Sequence, residues 1–81
     1  MFQPLPRLMV APNGARRTKA DHPALPIRLG EVVETAVACD RAGAEGIHLH
    51  VRDTDAQHSL DVGLYREVVA AVEQAVPNFF V

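Results

Sequence analysis

Short apolar runs alternate along the chain with segments whose apolar residues recur at helical spacing. The three runs, each brief enough for a buried strand, are Leu8–Ala11, Gly46–Val51 and Phe79–Val81. Between them, apolar residues recur every three or four positions, which predicts one helix from Leu29 to Cys39 and another from Leu64 to Ala75. Ser59 or Asp61 can cap the second helix, and the polar stretch 15–26 is predicted to be a loop.

The resulting order is β-α-β-α-β, which predicts parallel strands joined by right-handed crossovers. The strands recur at intervals of roughly 30–40 residues, compared with about 31 residues per unit in a (β/α)8 barrel. This spacing fits a barrel and equally permits a doubly wound sheet. Parallel sheets are normally covered on both faces, whereas helices on one side of three strands leave one face bare. We therefore expect the chain to be part of a larger α/β domain.

The second run contains two histidines, His48 and His50, separated by one residue. Side chains alternate between the faces of a strand, so the two imidazoles should project together and Leu49 to the opposite side. Imidazoles at this spacing can bind one metal ion, whereas the alternative is a pair of core histidines with hydrogen-bond partners. The parallel-strand context and the following Arg52-Asp53 favour the metal site. A catalytic zinc normally has three protein ligands, so the third must come from elsewhere.

Composition and charge argue against several other classes of protein. The net charge of −2 gives no electrostatic footprint for nucleic acid. No apolar run approaches the roughly 18 residues of a membrane span, and the start, Met1–Pro4, is unlike a signal peptide. Cys39 is the only cysteine, which favours a reducing compartment and a cytoplasmic location.

Several strings spread over nearly the whole chain match one known family. They are Ala11–Lys19, Asp21–Pro26, Ala42–Ala44, His48–Asp53, His58–Asp61 and Tyr65–Glu67. Together they resemble the start of the β-keto acid cleavage enzymes, the family that includes 3-keto-5-aminohexanoate cleavage enzyme. The combination is far more specific than the His-x-His pattern alone.

The resemblance implies a full-length (β/α)8 TIM barrel, of which residues 1–81 form the N-terminal part of a single domain. It implies metal-dependent acyl transfer between a β-keto acid and acetyl-CoA, giving acetoacetate and a new acyl-CoA. The metal, usually Zn²⁺, is bound by the residues that match His48 and His50 and by a glutamate from a late strand. That glutamate and the other late catalytic residues are expected beyond Val81. Members are typically oligomers, so the full-length protein is expected to form a homo-oligomer.

Two positions near the first strand are candidate substrate contacts. Asn13 can orient a substrate by hydrogen bonding, or it can simply form an Asn-Gly turn. Arg16, in the following loop, suits a substrate carboxylate or the phosphates of coenzyme A. The alternative is a solvated basic loop that also includes Arg17 and Lys19.

The chain departs from the family pattern at two places. The loop after the second strand usually has Asp-Gly, whereas this chain has Asp55-Ala56, and we expect a reshaped turn because alanine disfavours φ > 0. Some relatives have a glutamate at the Arg16 position that meets an amino-bearing substrate. An arginine there argues against 3-keto-5-aminohexanoate as the preferred substrate.

Two alternatives to the acyltransferase stay open. His-x-His at a barrel strand end also serves metal-dependent hydrolases, which would not require acetyl-CoA. The isolated 81-residue polypeptide is expected to be catalytically inactive, either as a fragment or as a small module that assembles with copies of itself.

Overall fold

The structure is a computed structural model that describes residues 5–81. Residues 1–4, the start that is unlike a signal peptide, lie outside this range. The elements follow in the order β1 (Met9–Val10), α1 (Leu29–Arg41), β2 (Gly46–Ile47) and α2 (Val62–Ala75). The small α/β class and the alternation of strands and helices are therefore as predicted.

The two strands are parallel, with Met9 opposite Gly46 and Val10 opposite Ile47. The predicted third strand appears as one parallel bridge between Gly46 and Phe80. A Cβ atom on Gly46 would lie 2.8 Å from the carbonyl oxygen of Phe80. Glycine is therefore required where these two segments approach each other, and β2 lies between β1 and the end of the chain.

The two helices pack against each other and against one side of the strands. Their buried positions join Ile47 and the residues around the third apolar run in a single core, made of Val32, Ala36, Ala44, Ile47, Val72, Val76 and Phe79. Both predicted helical stripes supply residues to this core, although Leu29 and Ala75, also predicted to face inwards, are exposed. None of the helices in the range 5–81 is long and apolar enough to cross a membrane.

An acidic side chain near the start of each helix accepts main-chain hydrogen bonds. Asp61 precedes α2 and accepts a hydrogen bond from the N–H of Leu64 at 2.9 Å, which settles the choice between Ser59 and Asp61. No Ser, Thr, Asp or Asn precedes α1. Its start is instead stabilised by Glu31, whose carboxylate accepts from the N–H of Arg28 at 3.0 Å. At the other end of α1, Gly43 has a φ of 107°, as expected of a glycine that terminates a helix.

The histidine strand is shorter than the predicted Gly46–Val51. Regular pairing ends soon after Ile47, where the N–H of His48 donates to the carbonyl of Val10 at 2.8 Å. On the neighbouring segment Pro12 follows β1, and it has no N–H with which to continue the pairing. Residues 48–50 therefore leave the sheet at the edge where β1 and β2 end, and this edge positions the candidate site.

Candidate metal centre

The imidazoles of His48 and His50 lie side by side, with their ring centroids 5.1 Å apart and their planes inclined by 38°. Ile47 and Val51 are buried, and Leu49 packs against the core. The apolar residues thus face the interior while the two imidazoles share the other side, as the alternation predicts. Two imidazoles bound to one tetrahedral ion through bonds of about 2.0–2.1 Å have centroids about 5 Å apart. The observed spacing fits a shared metal ion.

His50 is the more enclosed of the two histidines. Its Nδ1 atom is buried and has no hydrogen-bond partner within the described chain. Burial, followed by the nearby His48, His58 and Arg52, lowers the pKa of the His50 imidazole below its usual value of 6.5. A metal ion requires the neutral imidazole with a free lone pair. The orphaned nitrogen and the lowered pKa both suit a metal ligand.

Asn13 contacts the main chain of His50 through both ends of its carboxamide. Its Nδ2 donates to the carbonyl of His50 at 2.8 Å, and its Oδ1 accepts from the N–H of His50 at 3.3 Å. Nδ2 also donates to the carbonyl of Pro26 at 3.2 Å, and the residue is buried. Both amide hydrogens are therefore used within the protein, and a direct contact between Asn13 and substrate stays a prediction.

Arg52 joins the loops that follow the two strands. Its guanidinium donates to the carbonyl of Gly14 at 2.7 Å and to that of Ala56 at 2.9 Å, with a longer contact of 3.4 Å to the carbonyl of Asn13. Asp53, by contrast, accepts from the main-chain N–H groups of Asp55 and Gln57. Arg52 is thus a buried guanidinium that fixes the main chain of both loops, whereas Asp53 holds the turn that follows it.

The turn at Asp55-Ala56 is not reshaped in the way its sequence suggests. Ala56 adopts a φ of 63°, the left-handed conformation that favours glycine. Its N–H donates to the carbonyl of Asp53 at 3.0 Å, and its carbonyl is held by Arg52. These contacts impose the conformation on an alanine, so the expectation based on residue preference is wrong here.

Arg16 is exposed in the loop after β1. Within the part of the chain that the structure describes, salt bridges join Arg17 to Asp21 and Lys19 to Glu31, and none involves Arg16. Lys19 also donates to the carbonyls of Pro23 and Leu25. Arg17 and Lys19 are therefore each paired with a carboxylate of this protein, which leaves Arg16 as the candidate for binding an external anion.

A third histidine, His58, lies closer to the pair than the sequence indicates. Its ring is edge-on to His50 with centroids 5.3 Å apart, because residues 52 and 58 form an antiparallel bridge. The polar residues Asp53–Gln57 predict a turn, and a turn here is what brings the chain back from Arg52 to His58. Across residues 5–81, however, no group of three or more His, Cys, Asp or Glu side chains is arranged to hold a metal ion. The residues described here thus bring two imidazoles together without a third side chain placed to complete a metal site.

Comparison with known proteins gives the family. The family model of the beta-keto acid cleavage enzymes matches residues 7–81. A 3-oxoadipate:acetyl-CoA acetyltransferase of Cupriavidus necator is 36% identical over 71 residues, which is 88% of this chain and 25% of that protein. A 3-keto-5-aminohexanoate cleavage enzyme of Fusobacterium nucleatum is 34% identical over 68 residues, which is 84% of this chain and 25% of that protein.

A third relative is the 3,5-dioxohexanoate:acetyl-CoA acetone transferase of Paraburkholderia graminis. It is 34% identical over 64 residues, which is 78% of this chain and 21% of that protein. The chain thus spans about a quarter of the length of these relatives or somewhat less. The family match, by contrast, extends over almost all of the 81 residues. This chain belongs to the β-keto acid cleavage enzyme family.

Proposed function

We propose that the chain supplies the metal-binding strand of a metal-dependent acyltransferase that acts on a β-keto acid and acetyl-CoA. The products would be acetoacetate and a new acyl-CoA. The observation that carries this proposal is the pair of adjacent imidazoles, His48 and His50, in a member of this family. The two acetyl-CoA-dependent relatives support the choice of co-substrate.

In this proposal His48 and His50 hold a divalent metal, with Zn²⁺ the first choice for two imidazole ligands. Such an ion supplies Lewis-acid chemistry by stabilising negative charge on the oxygens of the keto acid. The chain's own contribution is to present two imidazoles on one side of a strand and to keep His50 neutral by burial. The third ligand and the late catalytic residues are proposed to lie beyond Val81.

Arg16 is proposed to bind the distal end of the substrate. It lies exposed after β1, on the same loop whose Gly14 carbonyl is fixed by Arg52. An arginine suits a carboxylate through paired N–H donors. The 3-oxoadipate of the Cupriavidus relative has a second carboxylate, whereas 3-keto-5-aminohexanoate has an amine. We therefore propose a β-keto acid with an acceptor-rich distal group.

The proposal also includes the domain that contains this chain, its location and its oligomeric state. Residues 1–81 would form the N-terminal part of a single (β/α)8 TIM-barrel domain. The parallel order of β1, β2 and the segment at Phe80 supports this arrangement. A cytoplasmic location and a homo-oligomeric full-length protein are expected with it.

The test measures acetoacetate and acyl-CoA formation by the full-length protein that contains this chain, with 3-oxoadipate and acetyl-CoA as substrates. We expect activity that is abolished by a chelator and restored by Zn²⁺. His48→Ala and His50→Ala should each lose more than the roughly 10–100-fold that follows loss of a group supporting a metal ligand. His22→Ala, at an exposed loop histidine, is the matched control and should retain activity.

Two results would overturn the assignment. Full activity in either His48→Ala or His50→Ala would remove the metal site. Consumption of the keto acid at the same rate without acetyl-CoA would identify a hydrolase and exclude acyl transfer.

A further inference from the structure

We propose that Asn13 is a positioning residue that holds the main chain of His50 and thereby fixes its imidazole for the metal. The inference rests on the proposed function, because it takes His50 as a metal ligand. It assigns Asn13 a role through the protein and not through contact with substrate.

The sheet does not provide main-chain hydrogen-bond partners for His50. Parallel pairing between β1 and β2 ends where the N–H of His48 donates to Val10. Beyond that bond, no main-chain hydrogen bond joins residues 11–13 to residues 48–50 in the described chain, and Pro12 has no N–H to donate. Without another partner, the N–H and carbonyl of His50 would lack the hydrogen bonds that hold a strand residue in place.

The Asn13 carboxamide takes the place of the missing peptide group. Its Nδ2 and Oδ1 bond the carbonyl and the N–H of the same residue, His50, at 2.8 and 3.3 Å. This pattern of one donor and one acceptor is what a neighbouring strand offers to a paired residue. A side chain thus extends the sheet by one residue at the point where the main chain cannot.

Asn13 is itself held firmly. It is only 4% exposed, and its second amide hydrogen bonds the carbonyl of Pro26 at 3.2 Å. The main-chain carbonyls of Asn13 and Gly14 accept from Arg52 at 3.4 and 2.7 Å. The carboxamide is therefore fixed from both sides, so it can define where His50 lies.

The consequence for the metal is geometric. A protein site must hold its ligands within about 0.5 Å of the productive position. The Nδ1 atom of His50 is buried and unpartnered within residues 5–81. In that range no other side chain fixes the rotation of the ring by bonding this nitrogen. The clamp from Asn13 fixes the main chain of His50, and so fixes the point from which the imidazole of His50 projects beside His48.

The experiment measures Zn²⁺ affinity of the full-length protein by competition with a chelator. It compares wild type with Asn13→Ala and with Asn13→Leu, which keeps the same number of heavy side-chain atoms and the same branching but has no polar atoms. We expect both variants to bind Zn²⁺ roughly 10–100-fold more weakly, the usual effect of losing a group that orients a ligand. Val72→Ala is the control for general destabilisation, because it opens the core without removing any hydrogen bond of Asn13, and it should leave the affinity unchanged.

The melting temperature of each variant is measured alongside, so that affinity is compared only between folded proteins. Wild-type affinity in a folded Asn13→Leu or Asn13→Ala protein would overturn the inference. An equal loss of affinity in Val72→Ala would also overturn it, by showing that any destabilisation weakens the site. His50→Ala separates the two proposals: if it binds Zn²⁺ as tightly as wild type, the metal site itself is wrong and the role of Asn13 falls with it.

Discussion

At the scale of single residues, polar side chains fix the main chain around the histidines. Arg52 is buried and bonds carbonyls from two loops, while Asn13 bonds both main-chain groups of His50. A guanidinium suits this task because its donors diverge in one rigid plane and reach several carbonyls at once. The candidate site is therefore organised by contacts to main-chain oxygens, with the imidazoles themselves left available.

Ala56 offers a test of strain at this scale. An alanine in the left-handed conformation costs roughly 1–2 kcal/mol, a cost that glycine avoids. Glycine is also more flexible in the unfolded chain, which offsets about 0.4–1 kcal/mol of this gain in stability. Ala56→Gly should therefore raise the free energy of unfolding by up to about 1 kcal/mol, measured by urea denaturation of the full-length protein.

The control for this substitution is Ala38→Gly, at an exposed position inside α1. Glycine within a helix lowers stability by about 1 kcal/mol, so the two substitutions should act in opposite directions. A loss of stability in Ala56→Gly would show that the positive φ at this turn is not a source of strain.

At the scale of elements, the start of α1 depends on a charged contact with the preceding loop. Lys19 lies 2.6 Å from Glu31, and the same carboxylate accepts from the N–H groups of Arg28 and Ile27. The bond from Lys19, together with these N–H groups, lowers the pKa of Glu31 from 4.5 to about 2. The loop after β1 and the first turn of α1 are thus joined by one carboxylate.

This contact predicts a specific dependence of stability on pH. Because the pKa of Glu31 is lower in the folded protein than in the unfolded chain, its contribution is complete above pH 4.5 and is lost as the pH falls towards 2. The difference in melting temperature between wild type and Glu31→Gln should therefore shrink over this interval, as measured by thermal unfolding at stepped pH.

Glu34→Gln, on the same helix but without a bond to Lys19, is the control. Added salt should reduce the effect of Glu31, since both partners are partly exposed and solvent ions screen them. A difference between wild type and Glu31→Gln that stays constant from pH 5 to pH 2 would contradict the proposed role of the carboxylate.

The sequence predicts the elements well where local pattern decides, and less well where distant contacts decide. Both helices follow from apolar spacing, and Asp61 is one of the two caps, with Ser59, that residue preference predicts. The strand at Gly46 is shorter than its apolar run because Pro12, which follows β1, has no N–H to continue the pairing, and the run itself does not encode that. Ala56 adopts a left-handed conformation because Arg52 and Asp53 hold it, and residue preference alone argues against that outcome.

In the candidate site, too, local pattern predicts some features and distant contacts decide the others. The common orientation of His48 and His50 follows from strand alternation, and the 5.1 Å separation of their rings agrees with it. The clamp from Asn13 spans 37 positions of sequence, so no local pattern identifies it. The approach of His58 to His50 requires the chain to fold back after Arg52, a return that only the turn residues suggest.

At the scale of the whole molecule, several large apolar side chains are exposed within the described range. They lie at both ends of the chain and on the approach to α2, and include Leu5, Leu8, Met9, Leu60, Val62 and Val81. In the proposed barrel, further strands and helices would cover such residues. Their exposure supports the proposal that this unit works as part of a larger domain.

Residues 1–81 produced alone are therefore expected to bind Zn²⁺ weakly and to show no turnover. Two imidazoles without a third ligand make a poor site, and a core of this size rarely supplies more than about 3–5 kcal/mol. Zn²⁺ titration and the acyl-transfer assay, run beside the full-length protein, measure both expectations.

The His48→Ala form of the same short polypeptide is the control for metal binding. Turnover by the 81-residue polypeptide, after rigorous removal of any full-length enzyme, would refute the expectation. It would also show that the small α/β unit can assemble a complete site with copies of itself.

The hydrogen bonds from Asn13 to His50, and from Arg52 to Gly14, join segments that are 37 and 38 positions apart in the chain. Neither segment can open without breaking the bonds that order the other. The loop after β1 and the histidine segment should therefore open together, and hydrogen exchange of their amides should give a common free energy of opening, as for one cooperative unit of local unfolding. A substitution that destabilises the first loop should therefore also destabilise the histidine segment, however far it lies from the histidines along the chain.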